Sequence, residues 1–159
     1  MSDIYDSATY EPRKGIGHLT NRVRTELLAA IDREMGSDEH LRSLEMSSAQ
    51  FIILATLSMG TAKSASDLCK GISYDAGAMT RMLDRLEEKG LLRRSRDPGD
   101  RRLVNLELTD KGNAALPRMR EVSMRVLNRF LQGFTKAEAR QLESFLTRML
   151  ENAAKGTGA

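Results

Sequence analysis

The segment "AMTRMLDRLEEKGLLRRSRDPGDRRLVNLELTD", residues 78–110, changes its hydrophobic period halfway along, and that change narrows the folds open to the chain. Met79, Met82, Leu83 and Leu86 recur at i, i+3, i+4 and i+7, the stripe of a helix buried on one face. The spacing predicts a helix over 74–89, with Ser73 as its cap and Gly90 where a left-handed helix end favours glycine. Beyond Gly90 the period becomes two: Val104, Leu106 and Leu108 alternate with Asn105 and Glu107, as in a half-buried strand. Pro98-Gly99 is a strong turn signal, so "LLRRSR" and "LVNLELT" read as the two arms of a hairpin.

The flanking sequence supplies more helices. Ile16, Leu19, Val23, Leu27 and Ile31 continue at helical spacing toward Met35, after which "GSDEHLRSLEMS" breaks the pattern. "SSAQFIILATLSMG" reads as a short buried helix with Ser47 or Ser48 as cap and Gly60 as terminator. Ser64 followed by Asp67 has capping-box spacing and opens a shorter helix. Thr109 caps a long helix whose stripe includes Leu116, Met119, Val122, Val126, Leu127 and Phe130, with a kink or a late start expected at Pro117. Thr135 and Glu138 form a capping box for a last helix, with Leu142, Phe145, Leu146 and Met149 as its stripe. A short helix, a tight turn, an amphipathic helix and then a hairpin is the layout of a winged helix-turn-helix, in which the second helix enters the DNA major groove. The expected fold is therefore mainly α with a small β-hairpin, carrying long N- and C-terminal helices suited to dimerisation.

Five arginines (Arg93, Arg94, Arg96, Arg101 and Arg102) crowd the hairpin, where turn chemistry alone needs none. Phosphates attract such side chains through counterion release, and a narrow minor groove admits a guanidinium. Asp100, two residues before Arg102, is placed to brace it. On the preceding helix Gly77 allows close backbone approach to a surface, Thr80 suits a phosphate or a base edge, and Arg81 and Arg85 suit phosphates. Double-stranded DNA is the partner these residues point to.

Other chemistries find little here. Two histidines and the single Cys69 do not make a four-ligand zinc set. No phosphate-binding glycine loop, nucleophile elbow or catalytic carboxylate pair occurs, so neither an enzyme nor a cofactor is expected. One cysteine precludes an intrachain disulfide, and no apolar run approaches membrane-spanning length, which together lead us to expect a cytoplasmic protein without membrane contact.

The same stretch resembles the signature of the MarR family of bacterial transcriptional regulators. The matching pieces are Thr80-Arg81, the "LDRLEEKGLL" helix end, the Asp100-x-Arg102 pair, and Leu108-Thr109 followed by Gly112; the likeness in layout covers residues 15–153. It implies a homodimer with interleaved first and last helices, reading two half-sites of a pseudo-palindromic operator. It also implies repression relieved by a small, often aromatic and anionic, effector. By position, Thr80 and Arg81 become recognition-helix contacts, Ser64 and Ser66 backbone contacts, and Arg102 the wing arginine oriented by Asp100, with the adjacent Arg101 a competing candidate. The domains expected are a flexible arm at 1–14, a dimerisation helix and connection at 15–45, a winged helix-turn-helix DNA-binding domain at 46–109, dimerisation helices at 110–153 and a flexible tail at 154–159.

For the effector, His18 and Arg22 lie at i, i+4 on the first helix as candidates for a carboxylate. Gln50 and Arg93 are candidate polar contacts, and Met46 and Phe51 candidate walls. Cys69 is either a redox switch or a core thiol. Two rivals to an effector-released repressor follow: a thiol-based redox regulator, and a winged-helix protein-interaction module that does not bind DNA.

Overall fold

The computed structural model describes residues 3–72, 74–96, 99 and 104–156. Among these, the order is α1 (Ile16–Ser37), α2 (Glu39–Ser43), α3 (Ser48–Ser58), α4 (Ala65–Gly71), α5 (Ala76–Glu88), β1 (Leu92–Arg96), β2 (Val104–Leu108), α6 (Asp110–Phe130) and α7 (Lys136–Gly156). The chain divides into two compact units, Met1–Val126 and Leu127–Ala159.

Local capping explains most helix starts. Ser47 rather than Ser48 caps α3: its hydroxyl accepts the Gln50 amide at 3.3 Å, and Gln50 Oε1 accepts the Ser47 amide at 3.2 Å. Ser64 and Asp67 exchange the same pair of bonds at the start of α4. At α5 the cap is Asp75, whose carboxylate accepts the Ala78 amide at 2.8 Å, so the helix begins two residues later than its pattern predicts. Ser73, the cap expected there, lies outside the described residues. At the other end, Gly90 takes φ +68°, the Leu91 amide donates to Leu86 and the Gly90 amide to Glu87. These paired bonds form a Schellman end.

The stretch read as a break holds the five-residue helix α2. Asp38 caps it by accepting the Leu41 amide at 3.1 Å, and Leu41 is fully buried. Asp38 also receives Arg118 Nε of α6 at 2.6 Å, a bond across 80 residues of sequence that no local pattern reports. The N-terminal arm makes local contacts of its own. Asp6 accepts the Ala8 and Thr9 amides, Tyr5 and Tyr10 meet edge to face, and the Ile16 amide donates to the Tyr5 hydroxyl at 3.2 Å.

The hairpin is antiparallel, with Leu92 opposite Leu108, Arg94 opposite Leu106 and Arg96 opposite Val104. Leu92 and Leu106 are buried, whereas Val104, at the far end from the helices, is 43 % exposed. The Leu106 amide points away from its partner strand and donates to the Lys63 carbonyl ahead of α4 at 2.8 Å. The core gathers Leu54, Leu68, Leu83, Leu86 and Leu91 with Met35, Met79 and Met119, all essentially inaccessible.

Helix α6 starts at Asp110 and runs past Pro117, so the late start does not occur. Pro117 deprives the Asn113 carbonyl of its helical donor, but both residues are exposed, where water can take its place. Leu116, Met119, Val122 and Val126 bury the opposite face. Its first turn meets the end of α5 closely: a Cβ on Gly112 would stand 2.0 Å from the Leu91 carbonyl oxygen. In the second unit α7 continues through Gly156, further than the frayed tail expected from 154, and none of its residues is buried.

Two outcomes follow. Gly112→Ala should lower unfolding free energy by about 2–3 kcal/mol in urea, because backbone cannot yield as a side chain can. For Asp38, burial opposes ionisation, but the Leu41 amide and the Arg118 guanidinium more than offset it and hold the carboxyl below its usual range. A depressed native carboxyl contributes stability above about pH 4 that is lost as pH falls through its native value. Asp38→Asn, which keeps the cap but not the charge, should therefore cost about 1–2 kcal/mol at pH 7 and much less at pH 3.

Candidate nucleic-acid interface

Helices α4 and α5 and the hairpin join the first unit's core through their inward residues: Leu68, Met79, Leu83, Leu86, Leu92 and Leu106. That burial dictates what α5 presents outward. Gly77, Thr80, Arg81 and Arg85 are all exposed, two turns of one face carrying small, hydroxylic and cationic groups. Thr80 Oγ1 donates to the Ala76 carbonyl at 2.8 Å, which keeps the hydroxyl along the helix with an acceptor free. A Cβ on Gly77 would meet Asp75 Oδ1 at 3.2 Å and Arg81 Nη1 at 3.4 Å, so the glycine leaves room for Arg81 to fold back toward the helix start. The Ala78 amide, against a burial effect, and then the Gly77 amide and Arg81 charge hold Asp75 below the usual carboxylate range. Its negative charge also complements the α5 N-terminus.

On α4, Ser66 is exposed, while the Ser64 hydroxyl is engaged with Asp67 at 2.8 Å. Arg85 borders an open cleft that Glu45, Ser47, Gln50, Glu88 and Lys89 also line. In that cleft Lys89 Nζ donates to the Glu45 carbonyl at 2.6 Å and to Gln50 Oε1 at 3.3 Å. Burial, with a smaller contribution from Arg85, pushes the Lys89 amine below its ordinary value, and Glu45 works against both.

The hairpin arginines do not act alike. Arg93 forks onto Glu107 directly opposite, Nε at 2.9 Å and Nη2 at 2.7 Å, and Ser95 adds a bond to the same carboxylate. Arg93 and then Ser95 lower the Glu107 carboxyl below its usual range. Arg94 turns the other way and binds Asp84 and Glu87 of α5. Arg96 is exposed at the end of β1. Asp100, Arg101 and Arg102 lie outside the described residues. Sequence reasoning treated the arginines as one cluster; the facing of Arg93 and Glu107 follows from hairpin register, whereas the Arg94 pairing has no local signal.

The effector candidates occupy unlike settings. His18 is half-buried and Arg22 exposed on α1, Met46 belongs to the core, and Phe51 packs against it. Gln50 is held by its capping box and Lys89, and Arg93 by Glu107. Cys69 is a free, half-buried thiol packed against the core. Among the described residues there is no group of three or more histidine, cysteine or acidic side chains placed to hold a metal, and no helix long and apolar enough to cross a membrane.

Known proteins resemble this arrangement throughout its length. The sequence pattern of the MarR family matches residues 46–104, from the start of α3 to the wing. The Multiple antibiotic resistance protein MarR of Escherichia coli is 32% identical over 150 residues, covering 94% of this chain and 96% of that protein. The transcriptional regulator PecS of Dickeya dadantii is 36% identical over 142 residues, 87% of this chain and 81% of PecS. Among solved structures, a cysteine-to-serine variant of E. coli MarR complexed with operator DNA superposes with a TM-score of 0.73 at 27% identity, covering 94% of this chain and 99% of that one. Bordetella bronchiseptica BpsR, whose DNA binding is regulated by 6-hydroxynicotinic acid, gives 0.75 at 26% identity over 88% and 96% of the two chains. With fold, hairpin and identity over nearly its whole length in agreement, this chain belongs to the MarR family of transcriptional regulators, proteins that are not enzymes.

Proposed function

We propose that this chain is a cytoplasmic transcriptional repressor that binds a pseudo-palindromic operator as a homodimer and leaves it when a small aromatic acid binds. The observation that carries the reading is the outward face of α5: Gly77, Thr80 and Arg81 stand exposed on a helix whose other face is anchored in the core. A major groove accepts such a face, and Arg81 is suited to a base edge or a phosphate. Ser66 adds a contact from α4, Arg85 a phosphate contact further along, and Arg102, braced by Asp100 or replaced by Arg101, the minor-groove contact. The relative solved with operator DNA supports this reading.

Dimerisation through segments 15–45 and 110–153 is supported by apolar stripes left in solvent. On α1, Ile16, Leu19 and Val23 are exposed, Val23 by 56 %. On α7, Phe145, Leu146 and Met149 are exposed and Leu150 reaches 72 %. Long helices with uncovered seams of this kind bury them against a second copy. The acid effector is supported by BpsR and by the polar side chains of His18, Arg22, Gln50 and Arg93. Of the two candidate walls, Phe51 is half-buried and Met46 is buried in the core.

Fluorescence anisotropy of a duplex from the gene's own upstream region, titrated at two salt concentrations with and without aromatic carboxylates, tests the reading. Selective, salt-sensitive binding reversed by one carboxylate is expected; binding no tighter than to random duplex refutes it. Arg102→Ala should weaken binding and reduce the salt slope by about 0.9 or less per lost phosphate contact. In sedimentation velocity the wild type should run as a dimer, and Phe145→Asp should shift it toward monomer.

A further inference from the structure

For a helix offered to a polyanion, α5 carries a curious pair of charges: Asp84 and Glu87 stand beside Arg81 and Arg85. Bare carboxylates there would repel phosphates. Both are explained by Arg94 on β1. Its Nη2 donates to Asp84 Oδ1 at 2.7 Å, its Nη1 donates to Glu87 Oε2, and its backbone amide donates to Glu87 Oε1 at 3.1 Å. The side chain is 29 % exposed, against 69 % for the neighbouring Arg93. A planar fork held by two carboxylates at i, i+3 of a helix is a geometrically exacting joint, stronger than neutral hydrogen bonds. The rung of the hairpin that Arg94 belongs to is fastened on its other side as well, because the facing Leu106 donates its amide to Lys63.

We infer that Arg94 is a positioning residue for DNA recognition, clamping the wing to α5 through Asp84 and Glu87 so that both elements meet one duplex in a fixed register. This inference rests on the DNA-binding reading above and adds the source of its selectivity. As a phosphate ligand Arg94 is poorly placed: its guanidinium is already engaged, and the three side chains together carry a net negative charge. Carboxylates kept on this helix cost non-specific affinity, and a defined angle between helix and wing is what they return. Sequence discrimination needs that angle, whereas charge attraction to the backbone does not.

The test measures full-length wild type, Glu87→Gln and Arg94→Gln by anisotropy against the upstream duplex and a random duplex at two salt concentrations. By charge alone, Glu87→Gln should tighten both complexes. The clamp instead requires the ratio of upstream to random affinity to fall roughly tenfold, within the range of coupling across a packed network, with random binding unchanged or tighter. Arg94→Gln should lose the same ratio with its salt slope intact. A slope reduced by about 0.9 per contact, with both duplexes weakened equally, would mean that Arg94 touches phosphate directly and would overturn the inference. Wild-type ratios in both variants overturn it too. Where circular dichroism shows Arg94→Gln unfolded, Arg94→Lys, which keeps the charge and loses the fork, and Glu87→Gln decide between the same outcomes. A wild type that does not distinguish the two duplexes removes the DNA-binding reading itself, a result separate from any change of ratio among variants.

Discussion

Three consecutive carbonyls at the end of α5 hold the recognition half of the molecule together. The Lys89 carbonyl accepts Lys111 Nζ at 2.7 Å, the Gly90 carbonyl accepts the Thr109 hydroxyl at 2.7 Å, and the Leu91 carbonyl accepts the Thr109 amide at 3.2 Å. All three lie beyond the last helical residue, Glu88, where the helix itself supplies no donors and buried acceptors need others. Here the chain that left α5 returns after the hairpin and supplies them. Gly90 makes this possible by turning left-handed, and Gly112 by letting α6 pass against the Leu91 oxygen. The exit of one helix, both ends of the wing and the entry of the next helix thus converge on one knot of backbone.

How far this could be read from residues alone depends on the distance over which each feature is decided. The caps at Ser64 and Thr135, the Gly90 end and the stripe of Met79, Leu83 and Leu86 are settled within one or two turns, and they were legible. The choice between Ser47 and Ser48 was not, because both can cap; Ser48 instead gives its amide to Asp32 of α1 at 2.6 Å. Helix α2 was hidden for a similar reason: five residues show no period, and Arg118 braces its cap from α6. In the arm, the Tyr5–Tyr10 contact is a meeting of aromatics that composition cannot announce. For the candidate site, α5 was legible because core burial leaves one face outward. The effector residues were less so, since a polar side chain in a cap or an ion pair looks, in sequence, the same as a free one.

The positive charge of the wing is divided among tasks. Arg93 ties strand to strand, and Arg94 ties strand to helix, each through carboxylates that the sequence places seven to fourteen residues away. Electrostatic attraction of the chain for an acidic partner therefore falls to fewer side chains than the count of arginines suggests. Ion pairs of this sort add little stability where exposed, but they define angles, and angles matter more than energy in a surface that must fit another surface.

A two-stranded ribbon that projects toward a partner ordinarily offers two open edges, each a template for a strand from another molecule. In the central rung of this ribbon both outward amides are already taken: Arg94 donates to the Glu87 carboxylate, and Leu106 to the Lys63 carbonyl. An intruding strand would have to displace a charged acceptor on one side or a loop carbonyl on the other before making its first bond. At this rung the wing discourages strand pairing between molecules, because both of its outward amides are already hydrogen-bonded to the domain that carries them.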